Sequence, residues 1–421
     1  MKTPIVILGI GKSGQAAKNL LLAQGFESCT IHTFDEKNSA ADFSHWDQIK
    51  SLEIGTLVLS PGIPMLSPGL VQLKAMGWQV TSEINLACSI LTDEIIVGIT
   101  GSVGKSTVTS LLGEAVEHDD PCAFVGGNLG IPFCEYALQV INKEKKARYI
   151  ILELSSYQLE NCKDLKLNYS AITFLSSNHL ERYATISDYY KTKCNIGSLT
   201  KHQCLLNESS VDLINYKNFI LCETETVNYK SSTKKDYLEK SQLTGEHNLD
   251  NLALALSLAN KLNLSFDAIN KMISYKGLNH RLETVGYFNG ILYINDSKAT
   301  AMDSVLVATR AALTKVNSDK NLYLLLGGKD KNLPWFELNI LKLIPNLKIL
   351  FFGQCGETAK IKSELTGNYY SKLGLALDAV FKLVKTGDVV LLSPGGTSLD
   401  EFKNFEDRGN IFKELVIKNY D

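Results

Sequence analysis

The sequence predicts an α/β protein with parallel sheets, and two observations carry this prediction. Short apolar runs at residues 5–8, 95–99 and 349–352 have the length and composition of buried parallel strands. Each run leads into a glycine-containing turn and then into a segment whose apolar residues recur at helical spacing. Because 421 residues exceed what one hydrophobic core usually holds, two or three domains are expected.

Composition narrows the class of protein. The chain has 45% hydrophobic and 21% charged residues, and its net charge of -2 gives no electrostatic argument for binding nucleic acid or an anionic membrane. Nine cysteines occur without a Cys-x-x-Cys pair, which favours reduced thiols over disulfides or zinc. No segment has the pattern of a signal peptide or a membrane span. We therefore expect a cytoplasmic enzyme.

The chain is organised around residues 95–112, where an apolar run, a glycine turn and a helical segment follow one another. Glycines in such a turn let backbone amides face a phosphate. Lys105 is placed to reach the β- and γ-phosphates and Ser106 to bind Mg²⁺, at the positive end of a helix expected to open at Ser106. The loop is shorter than the strict P-loop, and a chance Gly-Lys-Ser turn is the alternative. The predicted triphosphate site comprises Gly101, Ser102, Val103, Gly104, Lys105, Ser106 and Thr107.

The N-terminus predicts a βαβ unit with the turn Gly9-x-Gly11-x-x-Gly14 and a second strand that ends at Asp35. Such a turn suits a dinucleotide, with Asp35 on a ribose, or any pyrophosphate at a helix N-terminus. A turn required only for close helix–strand packing is the alternative.

Further polar residues follow the predicted strands of the middle third. Glu153 ends an apolar run in the Walker-B arrangement, which holds Mg²⁺, although a solvent-facing edge residue is the alternative. His179 alone does not indicate a metal site, since Mg²⁺ prefers oxygen ligands. Lys191 and Lys193 are expected to be solvated. Residues 248 and 251, both asparagines, share one face of a helix's first turn.

From residue 277 the pattern changes to a hairpin followed by alternating strands and helices. Residues 283–288 and 291–295 are joined by Asn289-Gly290, a strong hairpin turn. Asp296 and Lys298 form a charged pair, which suits phosphate or metal binding as well as helix capping. Three α/β domains are therefore predicted, at residues 1–91, 92–276 and 277–421.

Taken in order, these motifs resemble those of the Mur ligases of bacterial peptidoglycan synthesis. The run from Ser60 to Pro64 and the run 398–409 resemble most the branch that adds D-glutamate to UDP-N-acetylmuramoyl-L-alanine. The matching segments are residues 101–107, 153–156, 178–182, 245–251, 280–283, 295–300 and 398–409.

The resemblance implies an ATP-dependent amide ligase that forms an acyl phosphate on its nucleotide-linked substrate. It implies a Rossmann-like domain for the UDP substrate, a central P-loop ATPase domain and a Rossmann-like domain for the amino acid. The expected cofactors are ATP and Mg²⁺, with Mn²⁺ as an alternative metal. The expected partners are ATP, UDP-N-acetylmuramoyl-L-alanine and D-glutamate, bound by a monomer without nucleic acid or membrane.

The resemblance also implies site residues. Those for the UDP substrate are Gly11, Lys12, Ser13, Lys37, Ser60, Pro61, Gly62, Asn128 and His179. Further ATP contacts are Asn248, Asn251, Arg281, Asp296 and Lys298. Those for D-glutamate are Thr300, Lys331, Ser398, Leu399 and Phe405. The metal would be held by Ser106, Glu153, His179 and, if carbamylated, Lys193, and the catalytic residues would be Lys105, Glu153, His179 and Lys193.

The sequence departs from the family's usual residues at three places. Val103 stands where the family usually has asparagine, Asn178 replaces a common aspartate, and Gly395-Gly396-Thr397 replaces a run of small residues.

Four other functions stay open. The alternatives are a dehydrogenase that uses the first glycine turn, a P-loop kinase or nucleotide switch, another Mur ligase, and a folylpolyglutamate-type ligase.

Overall fold

The computed structural model describes residues 1–176, 182–230, 246–317, 319–331 and 333–421, together with residues 237, 240, 241 and 243. The chain divides into two compact units, one built on Met1–Ser241 with Glu246–Tyr275 and the other on Lys276–Asp421. The described residues form three sheets, two in the first unit and one in the second. None of the described helices is both long enough and apolar enough to cross a membrane.

The first sheet has four parallel strands in the order β2-β1-β3-β4. Its elements are β1 (Ile5–Leu8), α1 (Lys12–Ala23), β2 (Ile31–Phe34), α2 (Trp46–Lys50), β3 (Thr56–Leu59), α3 (Pro68–Ala75), β4 (Gln79–Ser82) and α4 (Glu83–Cys88). The chain passes from β1 to β2 on one side and returns to β3 on the other. The carboxyl end of β1 is therefore a topological switch point, where α/β sheets bind their ligands.

The second sheet has six parallel strands in the order β10-β9-β8-β5-β7-β6. Its strands are β5 (Ile95–Thr100), β6 (Phe124–Gly127), β7 (Tyr149–Glu153), β8 (Leu167–Ile172), β9 (Thr200–Asn207) and β10 (Glu223–Val227). Its helices are α5 (Lys105–Asp119), α6 (Phe133–Ile141), α7 (Ser156–Leu159), α8 (Ile186–Cys194), α9 (Val211–Asn215), α10 (Glu246–Lys261) and α11 (Phe266–Ile273). Because β5 and β7 are neighbours, the turn after β5 and Glu153 leave the same edge of the sheet.

The first two sheets share one hydrophobic core. Helix α6 packs against both α1 and α4, and this contact buries Leu20 and Leu21 of α1 together with Phe133 and Tyr136 of α6. The predicted boundary near residue 91 does separate the two sheets in sequence. Their common core nevertheless makes them one compact unit, so the division into three domains stays a prediction.

The second unit holds a six-stranded sheet in the order β11-β12-β16-β13-β14-β15, in which β11 alone runs antiparallel among the described strands. Its strands are β11 (Glu283–Phe288), β12 (Ile291–Asn295), β13 (Leu322–Gly327), β14 (Leu347–Phe352), β15 (Gly367–Tyr370) and β16 (Val389–Gly395). Its α-helices are α12 (Met302–Leu313), α13 (Gly356–Ser363), α14 (Leu373–Leu383) and α15 (Phe405–Tyr420), and a 3₁₀ helix covers Trp335–Leu343.

The hairpin predicted at the start of this unit is confirmed. Asn289 and Gly290 both have positive φ, 50° and 76°, as a tight two-residue turn requires. The segment 295–300 does not cap the helix that follows, because α12 begins at Met302 and its N-cap is Ala301. The segment instead forms a loop at the carboxyl end of β12.

Truncation of the shared core should destabilise the first unit. Leu20 is fully buried, so Leu20→Ala is expected to lower the free energy of unfolding by about 2–5 kcal/mol. Leu22 lies on the same helix with 39% of its surface exposed, so Leu22→Ala is the matched control and should cost less than about 1 kcal/mol. Urea unfolding of both variants measures the difference, and equal losses would contradict the shared core.

Candidate active site

The turn after β5 has a backbone that glycine alone adopts without strain. Gly101 has φ 146° and Gly104 has φ 93°. A Cβ at Gly101 would collide with Oγ1 of Thr173, and one at Gly104 would collide with Oδ1 of Asn251. The amide of Ser102 donates to the carbonyl of Phe174 at 2.7 Å, which ties the turn to the segment after β8.

Helix α5 begins at Lys105, one residue before the predicted start, so its positive end faces this turn. Nζ of Lys105 donates to the carbonyls of Gly101 at 2.9 Å and Ser102 at 3.2 Å. Asn248 and Asn251 share the first turns of α10, and Nδ2 of Asn251 lies 3.4 Å from Oδ1 of Asn248. The structure therefore brings the predicted triphosphate residues of this unit to one place.

Lys193 is buried, so the expectation of a solvated side chain is wrong for it; Lys191, two residues earlier, is exposed. Nζ of Lys193 donates to the carbonyl of Gly101 at 2.8 Å. Burial lowers the pKa of Lys193 well below its usual value, the charge of Lys105 lowers it further, and the charge of Glu153 opposes both. The amine is therefore neutral over a wider pH range than that of an exposed lysine.

Glu153 is 2% exposed, which rules out the alternative of a solvent-facing edge residue. Its Oε1 accepts a hydrogen bond of 2.6 Å from Nδ2 of Asn128. Its Oε2 is buried and has no hydrogen-bond partner within the described part of the chain. A buried carboxylate oxygen without a donor is strongly destabilised unless a cation is near, so Glu153 fits a divalent metal ion.

The predicted metal set is described only in part. His179 lies outside the described residues, as does Asn178. Among the residues that are described, no three His, Cys, Asp or Glu side chains converge on a metal site. Ser106 is buried at the start of α5.

A cleft of about 720 Å³ lies at the carboxyl ends of β1, β2 and β3. It is lined by every described member of the predicted UDP set, namely Gly11, Lys12, Ser13, Lys37, Ser60, Pro61, Gly62 and Asn128. Helix α1 begins at Lys12, so its N-terminal amides adjoin the cleft. Oγ of Ser60 donates to the carbonyl of Gly9 at 2.8 Å, which joins the turns after β1 and β3.

Some lining residues of this cleft have no role in the sequence-based prediction. Gln158 and Pro132 contribute to it from the second sheet's side of the unit. The local signal at Gln158 is the capping box that it forms with Ser155, which predicts a helix start and not a ligand contact. Only the packing of the two sheets brings these residues to the cleft.

In the second unit, Asp296 is a buried residue of the loop after β12. It accepts hydrogen bonds from Oγ of Ser393 at 2.8 Å and from the amide of Leu282 at 3.2 Å. Burial raises the pKa of Asp296 to about 7, although these hydrogen bonds and the charge of Arg281 lower it. Nζ of Lys298 lies 4.7 Å from the ring centroid of Phe405, so the predicted Asp296–Lys298 pair faces different partners.

Arg408 joins the loops after β12 and β16. Its guanidinium donates from Nε to Oγ of Ser297 at 3.0 Å, and from its two terminal nitrogens to the carbonyls of Ser297 at 2.8 Å and Gly396 at 3.1 Å. Burial lowers the pKa of Arg408 to about 10. The sequence marks Arg408 only as part of a motif, without a role, because its partners are more than ten residues away.

Four of the five predicted D-glutamate residues follow strands at one edge of this sheet. Thr300 follows β12, Lys331 follows β13, and Ser398 and Leu399 follow β16, while Phe405 begins α15. Ser398 is buried, whereas Lys331 and Leu399 are exposed. Paired backbone hydrogen bonds between Lys329 and Thr397, 2.8 and 3.0 Å long, hold two of these loops together.

Comparison with known proteins gives the family. A model of the Mur ligase middle domain matches residues 99–239. The UDP-N-acetylmuramoylalanine–D-glutamate ligase of Buchnera aphidicola subsp. Acyrthosiphon pisum (strain Tuc7) is 34% identical over 445 residues, covering 98% of this chain and 97% of its own. The chain belongs to the UDP-N-acetylmuramoylalanine–D-glutamate ligase family. The ligase of that name from Haemophilus influenzae (strain PittGG) is 33% identical over 441 residues and covers the same shares.

Solved structures give this Mur ligase family member its fold class. The MurF ligase from Thermotoga maritima in complex with ADP has a TM-score of 0.61 at 16% identity, covering 88% of this chain and 97% of that one. At that identity the likeness concerns the fold alone. The predicted α/β fold class is thereby confirmed, and the relatives at 33–34% identity confirm the predicted Mur ligase family.

A side chain at Gly104 should damage nucleotide binding in this family member. Alanine there would have a strained φ and a Cβ in collision with Asn251, so Gly104→Ala is expected to weaken ATP binding by about tenfold or more. Gly374→Ala is the control, because its Cβ meets only Cδ1 of Leu415 at 3.8 Å. Calorimetric titration with ATP measures both variants, and unchanged affinity in Gly104→Ala would contradict the site.

Proposed function

We propose that the chain joins D-glutamate to UDP-N-acetylmuramoyl-L-alanine and converts ATP into ADP and phosphate. One observation carries the proposal: the first unit holds both a cleft lined by the predicted UDP residues and a glycine–lysine turn beside buried Glu153 and Lys193. A nucleotide-linked acid and a triphosphate thus have separate sites in one compact unit. The relatives that match nearly the whole chain are named for this reaction, which supports the proposal.

The chemistry needs activation of a carboxylate, which is a poor electrophile. The L-alanyl carboxylate attacks the γ-phosphorus of ATP, an O–P bond forms, the bond to the β-γ bridging oxygen breaks, and ADP leaves. The amine of D-glutamate then attacks the acyl phosphate, a C–N bond forms, phosphate leaves and the amine loses a proton to solvent. Lys105 and the turn's amides stabilise the negative charge of the phosphoryl oxygens during transfer.

The remaining residues are assigned by the proposal as follows. Ser106 and Glu153 would hold Mg²⁺ or Mn²⁺, together with His179 and a carbamylated Lys193, and the bound metal would neutralise charge on the transferring group. Lys193 is suited to carbamylation because a neutral amine is the form that adds CO₂. The residues that the sequence predicts to contact ATP and D-glutamate are assigned the same contacts in the proposal. The reaction is assigned to a cytoplasmic monomer.

Release of phosphate tests the reaction directly. With ATP and UDP-N-acetylmuramoyl-L-alanine present, D-glutamate is expected to raise the rate of phosphate release at least about tenfold over L-glutamate or no amino acid. Lys105→Ala should reduce that rate by about 100-fold or more without changing the melting temperature. Equal release in the three mixtures would rule out the proposed reaction.

Carbamylation of Lys193 has a spectroscopic test. The chain in ¹³C-bicarbonate should show a carbamate carbon resonance that is absent in Lys193→Arg and retained in Lys191→Arg, since Lys191 is exposed. The pKa of Lys193 is lowered, so its amine stays neutral to a lower pH than that of an exposed lysine and gains a proton as the pH falls through that lowered value. The resonance should therefore weaken on acidification, and a resonance that persists in Lys193→Arg would refute the assignment.

A further inference from the structure

Arg182 connects two parts of the first unit that are more than one hundred residues apart in sequence. One terminal nitrogen of its guanidinium donates to the carbonyl of Pro61 at 2.8 Å, and the other donates to the carbonyl of Ile63 at 3.2 Å. These carbonyls belong to the loop after β3. The guanidinium thus holds that loop at two points.

The other side of the guanidinium is fixed by the segment at the end of α7. Nε and a terminal nitrogen of Arg182 donate to the two carboxylate oxygens of Glu160 at 3.1 and 2.6 Å. The guanidinium carbon lies 3.9 Å from the ring centroid of Tyr157. Only 8% of the Arg182 side chain and 15% of the Glu160 side chain are exposed. A two-point ion pair that is desolvated and stacked on a ring has one preferred geometry.

The loop held by Arg182 is a wall of the substrate cleft. Ser60, Pro61 and Gly62 line the cleft of about 720 Å³, and Pro61 and Ile63 also line a small cavity of about 20 Å³ behind the loop. That volume is roughly the space of one water molecule. The loop is therefore not close-packed from behind, and the hydrogen bonds from Arg182 help to set its position.

We propose that Arg182 is a positioning residue for the UDP-linked substrate. By donating to the carbonyls of Pro61 and Ile63, it keeps the Ser60–Gly62 wall in the position that binds the nucleoside diphosphate part of the substrate. This inference rests on the proposed function, which assigns that substrate to the cleft. The hydrogen bonds of Arg182 to described residues go to Pro61, Ile63 and Glu160 and not to residues 101–107, the phosphate turn, so its effect is expected on the UDP-linked substrate and not on ATP.

Kinetics of three variants test the proposal. Arg182→Ala is expected to raise KM for UDP-N-acetylmuramoyl-L-alanine about tenfold or more, while KM for ATP and kcat change less than about threefold. Arg182→Lys should lie between wild type and Arg182→Ala, because lysine keeps the charge but lacks the planar fork. Glu160→Gln should shift the same KM in the same direction, since it removes the ion pair that orients the guanidinium. Arg148→Gln is the control, because Arg148 stacks on Tyr149 at the opposite end of β7.

Direct binding separates this inference from the proposed reaction. The dissociation constant of UDP, measured by calorimetry on the full chain, should rise in parallel with KM. If the wild type binds UDP in an Arg182-dependent way but shows no turnover with D-glutamate, the proposed reaction fails and the positioning role stands. An unchanged KM and UDP affinity in Arg182→Ala, or an equal rise in KM for ATP, would overturn the positioning role.

Discussion

The hydrogen bond from Nζ of buried Lys193 to the carbonyl of Gly101 fixes the phosphate turn from the interior of the first unit. Burial lowers the pKa of Lys193 and so favours the neutral form of its amine. A second amine, that of Lys105, donates to the same carbonyl. Helix α8 is thereby tied to the turn after β5. The buried carboxylate of Glu153, with one oxygen lacking a described donor, lies in the same interior, where a bound cation would offset its negative charge.

The shared core of the first two sheets determines the shape of the cleft at the carboxyl ends of β1, β2 and β3. Helix α6 packs on α1 and α4, so the turns after β1 and β3 face Asn128 and Gln158 across one cleft. Loops are generally more mobile than the elements they connect. Here Arg182 and the buried helix contacts restrict the loop after β3. The packing of the two sheets therefore sets which residues face one another across the cleft.

In the second unit, Arg408 connects loops that are far apart in sequence, as Arg182 does in the first unit. Strand β16 inserts between β12 and β13, which brings the loops after these strands to one edge. Arg408 holds two of the loops through Ser297 and Gly396. Its hydrogen-bond partners are hydroxyl and carbonyl oxygens, and the nearby negative charge of Asp400 offsets part of the cost of burying the guanidinium.

The sequence by itself determined the strand–turn–helix units, the phosphate turn and the Asn289-Gly290 hairpin, because these depend on residues close together in the chain. It did not reveal β9 and β10, whose polar starts hide the apolar pattern, or the burial of Lys193, whose helix reads as solvated. The partners of Arg182 and Arg408 also depended on the tertiary structure. Periodicity shows which face of an element is apolar, whereas only packing decides which distant backbone that face meets, and these long-range contacts place the site.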